Sequence, residues 1–170
     1  MKLFAVYVGG DTKGSNIELH DMRFCIAETI EDCHDELKKQ WWGTPESLHL
    51  DCWGAVESAD QYEVSLKPEP YAGEDKLFFV NLGGYDSKQF TELHKNVFVA
   101  APNDSKAKVQ ALKTILDWES HHRDYLYEVE KMVCLNDLAR EKGLHIHLTP
   151  AADPKPFEFI CKYLPIGKAA

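Results

Sequence analysis

The residues best suited to chemistry come in pairs, one residue apart. Glu18-x-His20 and Glu92-x-His94 are such a pair, met twice in the chain. Two imidazoles and two carboxylates can bind Zn²⁺ or a similar ion. Alternatively, each His serves as a general base oriented by its Glu. The plainer reading has each His hydrogen-bonded to a nearby Gly-Gly turn, pinning a hairpin. His145-x-His147 places two imidazoles on one side of a strand, where they can chelate a metal. A solvent-facing edge explains them more simply. His49-x-Asp51 has the same geometry. His121-His122 stands beside Glu119 and Asp124 and reads as a solvated helix end. Trp41, Trp42 and Trp53 cluster in sequence. Adjacent tryptophans on a helix cannot both face one core, so an exposed one would mark a ligand pocket or a dimer patch.

These candidates divide into two sets. Ligand contacts would come from Glu18, His20, Glu92, His94, Trp41, Trp42 and Trp53, and metal contacts from His20, His94, His145 and His147. No Walker motif, HExxH, GxGxxG or nucleophile elbow accompanies them. No cofactor is firmly implied.

Charge narrows the partners. The 170 residues carry a formal net charge of −9, with scattered basic residues and no basic patch. Such a surface repels phosphate backbones and anionic membranes. Neither nucleic acid nor membrane is expected as a partner. Cys25, Cys33, Cys52, Cys134 and Cys161 are odd in number and show no CxxC spacing. They read as reduced thiols in a cytoplasmic protein.

The elements that must position these groups occur twice. Lys2-Leu3-Phe4-Ala5-Val6-Tyr7-Val8-Gly9-Gly10 returns as Lys76-Leu77-Phe78-Phe79-Val80-Asn81-Leu82-Gly83-Gly84, with six of nine positions identical. The offset of 74 continues through Glu18-Leu19-His20 and Glu92-Leu93-His94 to Ala27 and Ala101. Further on, an offset of 82 aligns Cys52 with Cys134 and Pro68 with Pro150, implying an insertion near Trp118 to Tyr127. In that register the counterparts of His49 and Asp51 are Lys131 and Val133, which leaves His49-x-Asp51 without support from the second copy.

Each unit reads as β-β-α-β-(α)-β. Leu3 to Val8 is apolar at every position, as in a strand buried on both faces. Gly9-Gly10 should end it in a tight turn. Met22 to Ala27 forms the next strand, and Thr29 caps a helix whose stripe is Ile30, Cys33, Leu37 and Trp41. Gly43 should stop that helix. Gly54 to Gln61 is expected to hold a short helix, between strands at Leu48–Cys52 and Tyr62–Leu66. The second copy predicts strands at Leu77–Leu82, Val97–Ala101, Tyr125–Val133 and Leu144–Leu148, and helices at Ser105–Trp118 and Asn136–Lys142. Val109, Leu112 and Leu116 should line the core face of the longer helix.

These segments resemble a bacterial family recorded as a domain of unknown function, number 1543. The resemblance lies in residues 2–10, in Glu18-Leu19-His20-Asp21-Met22-Arg23-Phe24, and in Trp41-Trp42-Gly43 with His49-Leu50-Asp51. Phe79 to Tyr85 and Glu92 to Asn96 match as well. The resemblance implies one or two copies per chain. It supplies no activity, cofactor or catalytic residue.

The expected fold is α+β: a pseudo-twofold tandem duplication of a ββαββ unit, its mixed or antiparallel sheet packed with helices. The repeats would span residues 1–70 and 75–150 and share one core, with 151–170 as a tail holding an edge strand. Three functions remain open. The first is a cytoplasmic ligand- or protein-binding module with its site between the repeats. The second is a metal-dependent, hydrolase-like enzyme using the Glu-x-His pairs, and the third a structural homodimer.

Overall fold

The computed structural model describes residues 1–115, 120–121, 131–153 and 155–167. In chain order the strands are β1 (Lys2–Gly10), β2 (Leu19–Ala27), β3 (His49–Ala55), β4 (Ser58–Ala59), β5 (Tyr62–Lys67), β6 (Lys76–Tyr85), β7 (Glu92–Ala101), β8 (Ser120–His121), β9 (Lys131–Cys134), β10 (His145–Pro150) and β11 (Ile160–Pro165). The α-helices are α1 (His34–Gln40), α2 (Asp104–Leu112) and α3 (Leu135–Glu141). All strand pairings are antiparallel, so the class is α+β. No described helix is long and apolar enough to cross a membrane.

The chain divides into two compact units. One is Met1–Glu57 with Pro156–Ala170, and the other is Ser58–Lys155. Strand β5, read above as the close of the first repeat, therefore belongs to the second unit, where it pairs with β10. The segment after Pro156 returns to the first unit.

In the first unit the sheet order is β11-β3-β1-β2. Side chains alternate across β1. Phe4, Val6 and Val8 enter a core with Cys25, Cys33, Leu37, Trp41, Leu48 and Leu50. Gly9 and Tyr7 take the opposite parity and look to the other face. Thr29 Oγ1 donates to Asp32 Oδ2 at 2.7 Å and accepts from the Asp32 N–H at 3.4 Å, beside a 3-10 turn over Glu31–Cys33; α1 itself begins only at His34, without a side-chain cap. The helix ends at Gln40, where Trp41 turns extended at ψ 130°. Gly43 is needed for close packing instead, since a Cβ there would stand 2.6 Å from the Asp11 carbonyl oxygen.

The Gly-Gly pairs are not turns. Gly9 and Gly10 lie inside β1, opposite His20 and Leu19. Gly83 and Gly84 lie inside β6, opposite His94 and Leu93. The two hairpins thus match pair by pair at the offset of 74.

In the second unit β6 is central, flanked by β7 on one side and by β8 and β9 on the other. Its core joins Phe78, Val80, Leu82 and Val99 to Ala107, Ala111 and Ile115. The helix therefore buries its alanine row, and Val109 is exposed rather than in the core. The expected helix at Gly54–Gln61 is instead the start of a hairpin. Asp60 and Gln61 both have positive φ (50° and 69°), as a type I′ turn between β4 and β5 requires. Gly143, at φ +71°, ends α3. The expected helix end at 116–118, His122 and the strand start at 125–130 lie outside the described residues.

Candidate metal centre

Three neighbouring strands of the first unit build one polar cluster. Gly9 on β1 sits between His20 on β2 and His49 on β3, paired with both. Glu18 immediately precedes β2. Asp51, two residues on from His49, shares its face and is the extra residue of a bulge, since Tyr7 pairs with Cys52 and Val8 with Leu50. Bulges of this kind re-aim a side chain beside a site.

Gly9 forms the floor. A Cβ there would lie 2.7 Å from His49 Nε2, 2.8 Å from His20 Cδ2 and 2.9 Å from Asp51 Oδ2. Any side chain would fill the space in which these groups meet.

The distances are short. His20 Nε2 is 3.0 Å from Glu18 Oε1 and 3.2 Å from Asp51 Oδ2. His49 Nε2 is 3.5 Å from Glu18 Oε1 and 3.5 Å from Asp51 Oδ1. All four residues place a ligand atom within 4.8 Å of one another.

His49 carries the electrostatic tension. It is 2% exposed, and its Nδ1 lies 2.8 Å from the Ser47 carbonyl oxygen. A carbonyl can only accept, so Nδ1 holds the proton and donates. In the neutral ring Nε2 then presents a lone pair toward two carboxylates. It is buried and has no hydrogen-bond partner. Asp51 Oδ2 is buried and unpartnered too, because the nearby His20 Nε2 lies off the hydrogen-bond direction. Leaving such groups unpaired costs about 1–3 kcal/mol each. A cation at the centre would satisfy both.

The surrounding structure holds these rings in place. Ser47 Oγ donates to the Thr44 carbonyl at 2.8 Å and accepts from the Asp11 N–H at 2.8 Å. That fixes the carbonyl that orients His49. Tyr163 lies over His49 with ring centroids 4.5 Å apart. Tyr7 stacks on His20 at 5.2 Å, nearly parallel. Burial raises the Tyr7 hydroxyl pKa, and the charges of Asp51 and Cys52 raise it further. Burial and a hydrogen bond to Cys161 push the Cys52 thiol up to about 12.

The other candidates stand apart from this cluster. Glu92 and His94 repeat the hairpin geometry, with Oε2 to Nε2 at 3.6 Å. Among the described residues, no other His, Cys, Asp or Glu joins them to make a group of three. His147 Nε2 meets the Glu69 carbonyl at 2.8 Å, and Tyr71 packs against its ring. His145 is half-buried on the same strand. Trp41 is buried and donates to the Thr44 carbonyl at 3.1 Å. Trp42 is exposed and Trp53 packs at the margin of the core.

His49 and Asp51 were legible as a pair by spacing. The offset of 82 set them opposite Lys131 and Val133 and removed their support. Strand pairing gives a different register. Cys52 lies opposite Tyr7, and Lys131 opposite Asn81, the counterpart of Tyr7. The true counterparts of His49 and Asp51 precede Lys131, outside the described residues.

The first unit is thus a four-stranded antiparallel sheet with a nitrogen- and oxygen-rich cluster on one face. Residues 15–66 match the family model described as Domain of Unknown Function (DUF1543). Glu18, His20, His49 and Asp51 all fall within the match. The whole chain is similar to the crystal structure of a protein Il1583 from Idiomarina loihiensis. The two share 27% identity over 97% of each chain, with a TM-score of 0.70. No curated protein matches the chain.

Proposed function

We propose that the first unit binds a divalent transition-metal ion, with zinc the best fit, through His20, His49 and Asp51, with Glu18 beside it. The observation that carries this reading is the buried, unpartnered Nε2 of His49, aimed at two carboxylates while its Nδ1 is held by Ser47. An outer-sphere carbonyl on the second ring nitrogen is the usual arrangement for a metal-bound His. The spacing supports it. Ligand bonds of about 2.0–2.1 Å place the corners of a tetrahedron about 3.3 Å apart. The four His-to-carboxylate distances, 3.0 to 3.5 Å, bracket that value.

The donor set is nitrogen and oxygen, with no thiolate. Structural zinc sites favour cysteine, whereas catalytic sites use His and carboxylate and keep one position for water. Glu18 is the most exposed of the four side chains, at 42%, and is the one best placed to yield to water. A bound ion would lower the pKa of that water, which is the chemistry of a metal-dependent hydrolase. His20, His49 and Asp51 would hold the ion, and Glu18 would accept the proton of the attacking water.

Elemental analysis of untagged protein, purified without chelator, tests the reading beside His49→Ala and Glu18→Gln. Near-stoichiometric metal in the wild type and in Glu18→Gln, but not in His49→Ala, is expected. Metal-free wild type that gains no thermal stability from added Zn²⁺ would overturn it. The cluster would then be an ion-paired clamp built on a charged imidazole.

A further inference from the structure

Cys52 and Cys161 stand directly opposite each other, on β3 and on the edge strand β11. We propose that this pair is a site of reversible oxidation, forming a cross-strand disulfide that clips β11 to β3. Directly opposed residues of an antiparallel pair have Cα atoms about 4.5–5.5 Å apart. A disulfide accepts roughly 4.4–6.8 Å. The strand register thus places the two residues within the general span of a disulfide.

Access separates Cys161 from the other four. Cys161 is exposed, Cys52 and Cys134 are half-buried, and Cys25 and Cys33 are buried. Cys161 is therefore the sulfur that meets an oxidant. With hydrogen peroxide, the Cys161 thiolate attacks one oxygen, the O–O bond breaks, and water leaves from the protonated second oxygen. Cys161 becomes a sulfenic acid. The Cys52 sulfur then attacks the Cys161 sulfur, the S–O bond breaks, and a second water carries away the oxygen. Two thiols and one hydrogen peroxide give one disulfide and two waters. The two electrons lost by sulfur reduce the peroxide. A small-molecule dithiol reverses the bond by exchange.

The clip has a specific consequence. Strand β11 carries Tyr163, whose ring covers the buried His49. Past β11, the N–H groups of Ile166 and Gly167 donate to the Leu48 carbonyl at 3.0 and 2.8 Å. Joining β11 to β3 would fasten this cover over the cluster. The bond depends on strand register alone and does not require an ion to be bound.

The reduced full chain, treated with a small excess of hydrogen peroxide and then alkylated, tests this by intact mass and peptide mapping. Two of the five thiols should disappear, with one cross-link joining the peptides of Cys52 and Cys161. Cys161→Ser, at an exposed position, should fold normally and form no cross-link. Amide exchange across 160–165 should slow at least about tenfold in the oxidised wild type, and revert with dithiothreitol. Retention of all five thiols would overturn the proposal, as would Cys161 sulfinic acid without a cross-link. So would a link between Cys25 and Cys33, or unchanged exchange in the linked protein.

Discussion

The hairpins β1–β2 and β6–β7 share their register, their in-strand glycines and their Glu-x-His pair, yet only the first gathers four ligand residues among those described. In the first unit the third strand completes the cluster: β3 enters opposite Gly9 with His49, and Asp51, two residues on, shares its face. In the second, the described part of β9 pairs with β6 from Asn81 to Phe78, and β8 lies beside Gly84 and Tyr85. A Glu-x-His pair on a hairpin is therefore half a site. A strand bringing a buried imidazole alongside supplies the rest.

The largest expected effect separates the hairpins outright. His49→Ala should abolish stoichiometric metal, whereas His94→Ala should leave it unchanged, as read by elemental analysis. Zn²⁺ at a hundredfold excess over its Kd should stabilise the wild type by about 2.7 kcal/mol. That corresponds to roughly 5–10 °C in melting temperature. The shift should persist in His94→Ala and vanish in His49→Ala.

A smaller effect tests the floor. Gly9→Ala would force a Cβ to within 3 Å of three cluster atoms. It should cost about 1–3 kcal/mol of stability, as overpacking usually does. It should also weaken Zn²⁺ binding in titration calorimetry. Gly83→Ala should leave Zn²⁺ affinity at its wild-type value.

The smallest effect contrasts two half-buried carboxylates. Asp51 Oδ2 has no donor, whereas Asp60 Oδ2 in the second unit accepts from the Ala100 N–H at 3.0 Å and from Gln110. Burial still raises the Asp60 pKa, with those donors partly offsetting it. Ionising Asp60 thus costs the folded state more than the unfolded one. Its contribution to stability is present at low pH and lost as pH rises through the folded pKa. Asp60→Asn lacks that loss. Denaturation at two pH values should show the variant's stability relative to wild type more favourable at pH 7 than at pH 3, by less than about 1 kcal/mol.

Much of the fold can be read from local pattern. The continuous apolar run at Leu3–Val8 marks a central strand, and Thr29 with Asp32 marks a helix start, because each signal is contained within a few residues. Gly9 misleads in isolation. A glycine pair after an apolar run usually signals a turn, and only the neighbouring strands reveal that His20, His49 and Asp51 require the missing Cβ. Val109 misleads similarly, since small alanines rather than the larger apolar residues fill the helix–sheet contact. Glu18 and His20 were visible because they recur. His49 and Asp51 were not joined to them, because that link depends on the pairing of β1 with β3 across some forty residues of chain. A bulge then shifts the register by one, and sequence spacing carries no trace of that.

One ion should be held where His49 Nε2 faces the two carboxylates. Anomalous scattering at the zinc edge, from crystals of the wild-type protein grown with Zn²⁺, tests it most directly. A single strong peak within about 2.0–2.2 Å of His20 Nε2, His49 Nε2 and Asp51 is the expected result. A peak on His94 or His147 with none above Gly9, or no peak at all, would contradict it.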